Sequence, residues 1–259
     1  VWNRSPEKAR PLAEHGATVA ADGATALAGA DVVVTMLTDG VAVEDVMGDA
    51  APSATPGTVW WQASTVGLQG TEGLAALAEE HQLTFVDAPV VGTRQPAEAG
   101  ELTVLASGPP GALALLEPLF DAVGTKTIAL GEAGAGSRFK LVMNHWVLGV
   151  TDAIAETLVL AEGLDVEPSL FLDAIAGGPL DIAYAHLKGP GMIAGDLPVA
   201  FPLKHALKDA DLILEAVERY ELDLGLAPAL RARFALAAEA GHADDDMGMV
   251  IEASRPPRG

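Results

Sequence analysis

Cysteine is absent from this 259-residue chain, and disulfide frameworks, thiolate metal sites and cysteine nucleophiles are excluded with it. Positive charge is scarce: 15 lysines and arginines stand against 36 aspartates and glutamates, a formal charge of −21. Phosphate neutralisation by Lys and Arg supplies most non-specific affinity for nucleic acid, so this balance argues against such a partner and fits a strongly solvated surface. Long apolar runs are missing as well. No stretch reaches the roughly 18 to 20 uninterrupted apolar residues of a membrane span, and Val1-Trp2-Asn3-Arg4-Ser5 shows no charged-then-apolar targeting pattern. A soluble, cytoplasmic protein is expected, with no membrane partner. The histidines, His15, His81, His145, His186, His205 and His242, include no i, i+4 pair of the kind that holds zinc on a helix, so no metal site is expected.

What the chain does have is apolar residues in periodic order. Short β-branched runs alternate with alanine-rich amphipathic stretches through the first half, the pattern of strands and crossover helices in a parallel sheet. Strands are expected at Asp31–Leu37, Thr58–Gln62, Leu83–Val86, Leu102–Ala106 and Thr125–Ile128, with helices near Pro6–His15, Val41–Val46, Gly70–Glu80 and Gly111–Ala122. Asn-Gly hairpin signals are missing. From Gly136 the texture changes: Ser137–Glu162 reads as one unbroken helix free of proline, and β-like runs then nearly cease. Further helices are expected at Asp165–Ala176, Leu203–Glu221 and Ala227–Ala240, separated by Gly177-Gly178-Pro179 and Gly189-Pro190-Gly191, with a frayed tail over 254–259. The fold class is therefore an α/β, Rossmann-like doubly wound sheet over 1–135, followed by an all-helical domain over 136–259 that begins with a long interdomain helix.

The chain opens in the middle of a nucleotide-binding pattern. Val1-Trp2 reads as the end of a strand, and Asn3-Arg4-Ser5-Pro6 then starts a helix with a serine cap and proline in its first turn. In a dinucleotide-binding fold the residue at this point meets the adenosine ribose, where arginine accommodates a 2′-phosphate. Arg4 thus argues for NADP over NAD. The glycine-rich fingerprint that should precede this strand is not within the 259 residues, so either a first βα unit is missing from the chain as given or the nucleotide reading fails.

Four segments carry the chemistry. They are Gln62-Ala63-Ser64-Thr65-Val66; Asp87-Ala88-Pro89-Val90-Val91-Gly92-Thr93 running on through Pro96-Ala97-Glu98-Ala99-Gly100; Gly134-Ala135-Gly136-Ser137-Arg138-Phe139-Lys140 with Asn144; and Phe201-Pro202-Leu203-Lys204-His205 through Lys208-Asp209. In this order and at these separations they resemble the β-hydroxyacid dehydrogenase family, and within it the glyoxylate and succinic semialdehyde reductases. The resemblance implies NADPH, with NAD the lesser expectation, and a small carbonyl or hydroxy-acid substrate. It makes Lys140 the catalytic acid or base and places Asn144 beside it on the substrate. It gives Asn3, Arg4, Ser5, Thr65 and Lys208 to the cofactor; Met36 and Leu37, at the end of a Val-rich strand, would line the nicotinamide site. It gives Val91, Gly92, Thr93, Phe201 and Asp209 to the substrate pocket, with the Gly92 N–H offered to a carboxylate. The chain departs from the family pattern in having Val91 for serine, Thr93 for glycine or serine, and Met143 for asparagine.

The residue types suit that chemistry. Reducing a carbonyl needs a hydride at carbon and a proton at oxygen, and a lysine ammonium can both steady the forming oxyanion and give up the proton if burial lowers its pKa. Asn144 lies at i+4 from Lys140, on the same helix face. Alternatives are an NAD-dependent 3-hydroxyisobutyrate dehydrogenase, an imine reductase, and a catalytically silent dimerisation or scaffold module. Apolar residues on several faces of the long helix, Leu141, Val142, Trp146, Val147 and Val150, suggest burial between domains or subunits and hence a homodimer or higher homo-oligomer.

Overall fold

The computed structural model describes residues 1–255. In chain order the elements are α1 (Pro6–Ala9), α2 (Gly23–Leu27), β1 (Val32–Thr35), α3 (Gly40–Ala50), β2 (Val59–Gln62), α4 (Gly67–Glu80), β3 (Thr84–Asp87), β4 (Val90–Val91), α5 (Arg94–Ala99), β5 (Leu102–Ala106), α6 (Pro110–Val123) and β6 (Gly124–Ala129), then α7 (Ala135–Gly163), α8 (Ser169–Ile175), α9 (Ala183–Ala194), α10 (Leu203–Arg219) and α11 (Leu226–Ala237). The chain divides into two compact units, Val1–Gly92 with Pro96–Lys140 and Thr93–Gln95 with Leu141–Gly259. Among the described residues no helix is long and apolar enough to cross a membrane.

The first unit is a Rossmann-like α/β layer. Strands β1, β2 and β3 pair in parallel, with Val32 opposite Val59 and Val59 opposite Thr84. All four residues of β2 are buried, as befits a central strand covered on both faces. Because side chains alternate across a strand, its two tryptophans go opposite ways. Trp60 joins Val33, Met47, Leu74 and Phe85 on one face, and Trp61 joins Val86, Val104, Leu116 and Phe120 on the other. Edge-to-face ring pairs fix both, Trp60 on Phe85 at 5.3 Å and Trp61 on Phe120 at 4.9 Å. Asp22 and Asp39 cap α2 and α3 by accepting from the Thr25 and Ala42 amides.

The sheet is not parallel throughout, although Asn-Gly hairpin signals are missing. Strand β4 runs antiparallel to β5, with Val90 opposite Val104 and Val91 opposite Thr103, while β5 and β6 are parallel. The two three-stranded portions join where Asp87 and Ser107 exchange backbone hydrogen bonds of 3.0 and 2.9 Å. The reversal between β4 and β5 uses a ten-residue connection with Gly92 and Gly100 at positive φ, not a two-residue Asn-Gly turn.

The second unit is helical. Its largest enclosed side chains include Leu148, Leu158, Met192, Leu203, Leu230, Phe234 and Ile251. Helix α10 packs on α11, and α11 and α9 on a 3₁₀ segment, Met247–Ala253, that closes the fold. Gly189-Pro190-Gly191, expected to separate helices, lies inside α9. The glycines there serve close approach: a Cβ on Gly189 would stand 2.9 Å from Leu172 Cδ1, and one on Gly191 2.6 Å from Leu197 Cδ2. Of the tail expected to fray, residues 256–259 lie outside the described residues, whereas Arg255 pairs with Glu162 at 2.7 Å and Glu252 at 2.6 Å.

The N-terminal segment also differs. Val1-Trp2 is not a strand; the Val1 carbonyl accepts a single bond from Ala20 N–H at 2.9 Å. Helix α1 is one turn long and continues as 3₁₀ over Arg10–His15, where Pro11 removes a donor.

Candidate active site

The site is built around the start of α7. Its first amides lack helical partners and must be satisfied from elsewhere. Asp87, at the end of β3 and 0% exposed, does this across 50 residues of sequence: it accepts the Ser137 N–H and the Ser137 hydroxyl, each at 2.7 Å. Ser107 accepts from the Gly136 N–H at 2.9 Å, and Thr71 Oγ1 stands 2.9 Å from Ser137 Oγ. Burial pushes the Asp87 carboxyl above the ordinary carboxylate value, against the donations from Ser137 and Ser107 that favour its charged form. Glycine is needed beside it, since a Cβ on Gly136 would come within 2.4 Å of Leu105 O and 2.7 Å of Asp87 O.

One turn along α7 from this anchor stands Lys140, half-buried, its Nζ donating to Val90 O at 2.8 Å. The helix start and the β3–β4 segment are thus tied at two points, Asp87 to Ser137 and Val90 to Lys140. Val91 and Gly92 follow directly on β4. Gly92 has φ +133°, and a Cβ there would meet Leu102 Cδ2 at 2.5 Å, so glycine alone fits.

A second group forms at the carboxyl ends of β1 and β2. The Gln62 side chain folds back to accept from Ser64 N at 2.7 Å and donate to Ser64 O at 2.8 Å, which fixes the turn after β2. Ser64 Oγ then accepts from Leu37 N at 2.8 Å, bringing Leu37 beside the Ser64-Thr65 turn. Met36 keeps 62% of its surface exposed there, unusual for so apolar a side chain. Gln62 and Ser64 were not foreseen as site residues; the signal was in a segment already singled out, but only Thr65 was given a role.

The second unit holds a polar group of its own. Asn144 and Asp209, 4% and 3% exposed, are joined by a 2.8 Å bond from Nδ2 to Oδ2, and Lys208 Nζ lies 3.0 Å from Asp209 Oδ1. Phe201 is half-buried with its ring 5.9 Å from that of His205. Thr93 is half-buried, and Lys204 turns to the exposed Asp244.

Asn3 and Ser5 bond to each other: the Ser5 N–H donates to Asn3 Oδ1 at 2.9 Å, and the Ser5 side chain makes no cap bond, correcting the expected serine cap. Arg4 is exposed. Among the described residues no cluster of His, Asp and Glu could hold a metal ion.

Comparison with known proteins gives the family. Residues 1–131 match the family described as the NAD binding domain of 6-phosphogluconate dehydrogenase, and residues 134–254 match the family described as NAD-binding of NADP-dependent 3-hydroxyisobutyrate dehydrogenase. Two Arabidopsis thaliana proteins are similar to the chain over 98% of its length: glyoxylate/succinic semialdehyde reductase 1, 32% identical with 89% of that protein covered, and chloroplastic glyoxylate/succinic semialdehyde reductase 2, 30% identical with 72% covered. The solved structure of Mycobacterium tuberculosis 3-hydroxyisobutyrate dehydrogenase with L-serine superposes at a TM-score of 0.88, with 30% identity, 98% of this chain and 90% of that one covered.

Proposed function

Because this chain belongs to the β-hydroxyacid dehydrogenase family, NAD(P)-dependent enzymes acting on CH–OH groups, we propose that it is an NADPH-dependent reductase of short-chain aldehydes or 2-oxo acids of the glyoxylate and succinic semialdehyde type, with Lys140 as its proton donor. One observation carries the reading: an ammonium group held at 2.8 Å from Val90 O, on a helix whose first turn is anchored to the sheet through a buried carboxyl. A lysine serving only solubility needs neither support.

The residues present fit a nicotinamide dinucleotide. Ligands of open parallel sheets bind outside the carboxyl ends of the strands, and there Leu37, Ser64 and Thr65 are gathered with the exposed apolar Met36. Met36, Leu37, Thr65 and Lys208 would hold the cofactor, with Asn3, Arg4 and Ser5 at its adenosine ribose. The guanidinium of Arg4 favours a 2′-phosphate, hence NADP. When bound, the reduced cofactor supplies the hydride. Lys140 holds a proton at the carbonyl oxygen of the substrate and delivers it as charge develops there. Asn144, oriented by Asp209, places that oxygen; Val91, Gly92 and Thr93 meet the acid end, with the Gly92 N–H offered to a carboxylate, and Phe201 borders the pocket.

A second reading, NAD-dependent oxidation of 3-hydroxyisobutyrate, draws support from the likeness to the Mycobacterium tuberculosis enzyme. Following NADPH and NADH consumption against a panel of small aldehydes, 2-oxo acids and cyclic imines, and NAD(P) reduction by 3-hydroxyisobutyrate, separates the two. The protein works as a homodimer in this reading, supported by Val142 and Trp146, an i, i+4 apolar pair on α7 left 61% and 65% exposed by the single chain.

A further inference from the structure

Among the described polar groups enclosed in the second unit is a buried ion pair. Asp246 is 0% exposed and Lys188 5%, and Lys188 Nζ donates to Asp246 Oδ1 at 2.6 Å. The same carboxylate accepts three backbone amides: Gly248 at 3.0 Å on Oδ1, and Ala200 at 2.9 Å and Phe201 at 3.3 Å on Oδ2. Burying an ion pair costs desolvation that its Coulomb attraction repays only when the geometry is good and the remaining lone pairs are satisfied. Here they are, and two of the three amides come from the irregular segment between α9 and α10.

That segment, residues 196–202, has no regular structure of its own. Around Asp246 its backbone is held on both sides. Met247 N–H donates to Phe201 O at 2.8 Å, Pro202 and Asp246 form an isolated antiparallel bridge, and Leu203 and Lys204 donate to the carbonyls of Asp245 and Ala243 at 2.8 and 2.9 Å. The Asp246 carboxylate therefore fixes the backbone that presents Phe201, while the first turn of α10 is held by the carbonyls of Asp245 and Ala243. A hydrophobic residue in its place would fill the space but leave the Ala200, Phe201 and Gly248 amides without an acceptor.

We propose that Asp246, charge-balanced by Lys188, is a positioning residue for substrate recognition: it sets the place of Phe201 without touching substrate or cofactor. The inference rests on the reading that Phe201 borders the substrate. Its reach is through the segment, so beyond any loss of stability the effect falls on the Michaelis constant for the carbonyl compound. Displacements of about 1 Å at a positioning group cost up to about 100-fold in catalytic efficiency.

The test compares Asp246→Asn, Phe201→Ala and the combination in the intact protein. Asp246→Asn should raise KM for the best carbonyl substrate by about 10-fold or more, leave the dissociation constant for NADPH unchanged, and add nothing to the loss caused by Phe201→Ala. Amide exchange at Ala200 and Phe201 should accelerate while that of β2 stays slow. Should the single variant not fold, the pair Lys188→Met with Asp246→Asn, which leaves no lone buried charge, takes its place with the same expectations. Wild-type KM together with unchanged exchange at Ala200 and Phe201 overturns the proposal. A wild-type protein that reduces no carbonyl compound overturns the reductase reading instead, and the exchange rates still judge the clamp.

Discussion

Ser137 gives both its backbone N–H and its hydroxyl to the two carboxylate oxygens of Asp87, each at 2.7 Å, one helical turn ahead of Lys140. The pair fixes the rotation of α7 about its axis at its first turn, and so fixes the direction in which Lys140 leaves the helix. Removing the acceptor, as in Asp87→Ala, leaves buried donors unpaired and should cost about 1–3 kcal/mol, read as a fall in the denaturant midpoint. Turnover should fall further than the folded fraction does, because the lysine loses its anchor. Equal losses would reduce Asp87 to a structural residue.

The same carboxyl makes a pH prediction. Burial raises the Asp87 pKa in the folded state above its unfolded value. Below the unfolded value both states hold the proton and no penalty exists. As pH rises from there through the folded value, the unfolded chain releases its proton first, so stability falls across that window and stays lower above it. The difference in midpoint between wild type and Asp87→Asn, measured from about pH 3 upward, should shift against the wild type as pH rises. A difference independent of pH would contradict this.

Tyr184 gives the alkaline counterpart. Burial, with a contribution from the Asp246 carboxylate, pushes its phenol up to about 12, although Thr151 Oγ1 at 3.0 Å works the other way. The folded pKa exceeds the unfolded value of about 10, so the contribution is intact below that pH and is lost as pH climbs through the folded value. The tyrosinate absorbance that Tyr184→Phe removes should therefore rise at about pH 12, in protein shown to be folded by circular dichroism. A rise near pH 10 would mean the hydroxyl is open to water.

Much of the fold was legible because it follows from period. The strands Val32–Thr35, Val59–Gln62, Thr84–Asp87 and Leu102–Ala106 and the helix Ala135–Gly163 lie within about two residues of the stretches expected at Asp31–Leu37, Thr58–Gln62, Leu83–Val86, Leu102–Ala106 and Ser137–Glu162, since each buries its apolar residues at the spacing its element demands. Strand β4 was not legible: it is two residues long, and its antiparallel partner is reached through Gly92 and Gly100 without a hairpin signature. Helix α9 was hidden by Gly189-Pro190-Gly191, residues that break helices by propensity but here let Leu172 and Leu197 come close. The Asp246 clamp was invisible because its partners Lys188 and Ala200 are 58 and 46 residues away. Of the candidate site, the motif residues stood out in sequence, Gln62 and Ser64 among them though without a role, while Ser107 and Asp246, which bond to the backbone of motif residues, did not.

Arg4 supplies the test of cofactor choice. Arg4→Ala should weaken NADPH several-fold more than NADH, as titration of each by fluorescence would record, because only the former carries the 2′-phosphate. Equal losses would place that phosphate elsewhere.

The proposed homodimer is tested at the exposed Val142 and Trp146 of α7. Light scattering should give a mass of two chains for the wild type, and Trp146→Glu should shift it toward one, since a charge at the centre of an apolar contact is left without a partner. A monomeric wild type would remove the homodimer from the account.

The most direct test of the central claim is turnover by Lys140→Ala at saturating NADPH with the best aldehyde or 2-oxo acid. A general acid predicts a fall of about 100-fold or more with NADPH affinity unchanged. Turnover near that of the wild type would show that the proton reaching the carbonyl oxygen comes from another group.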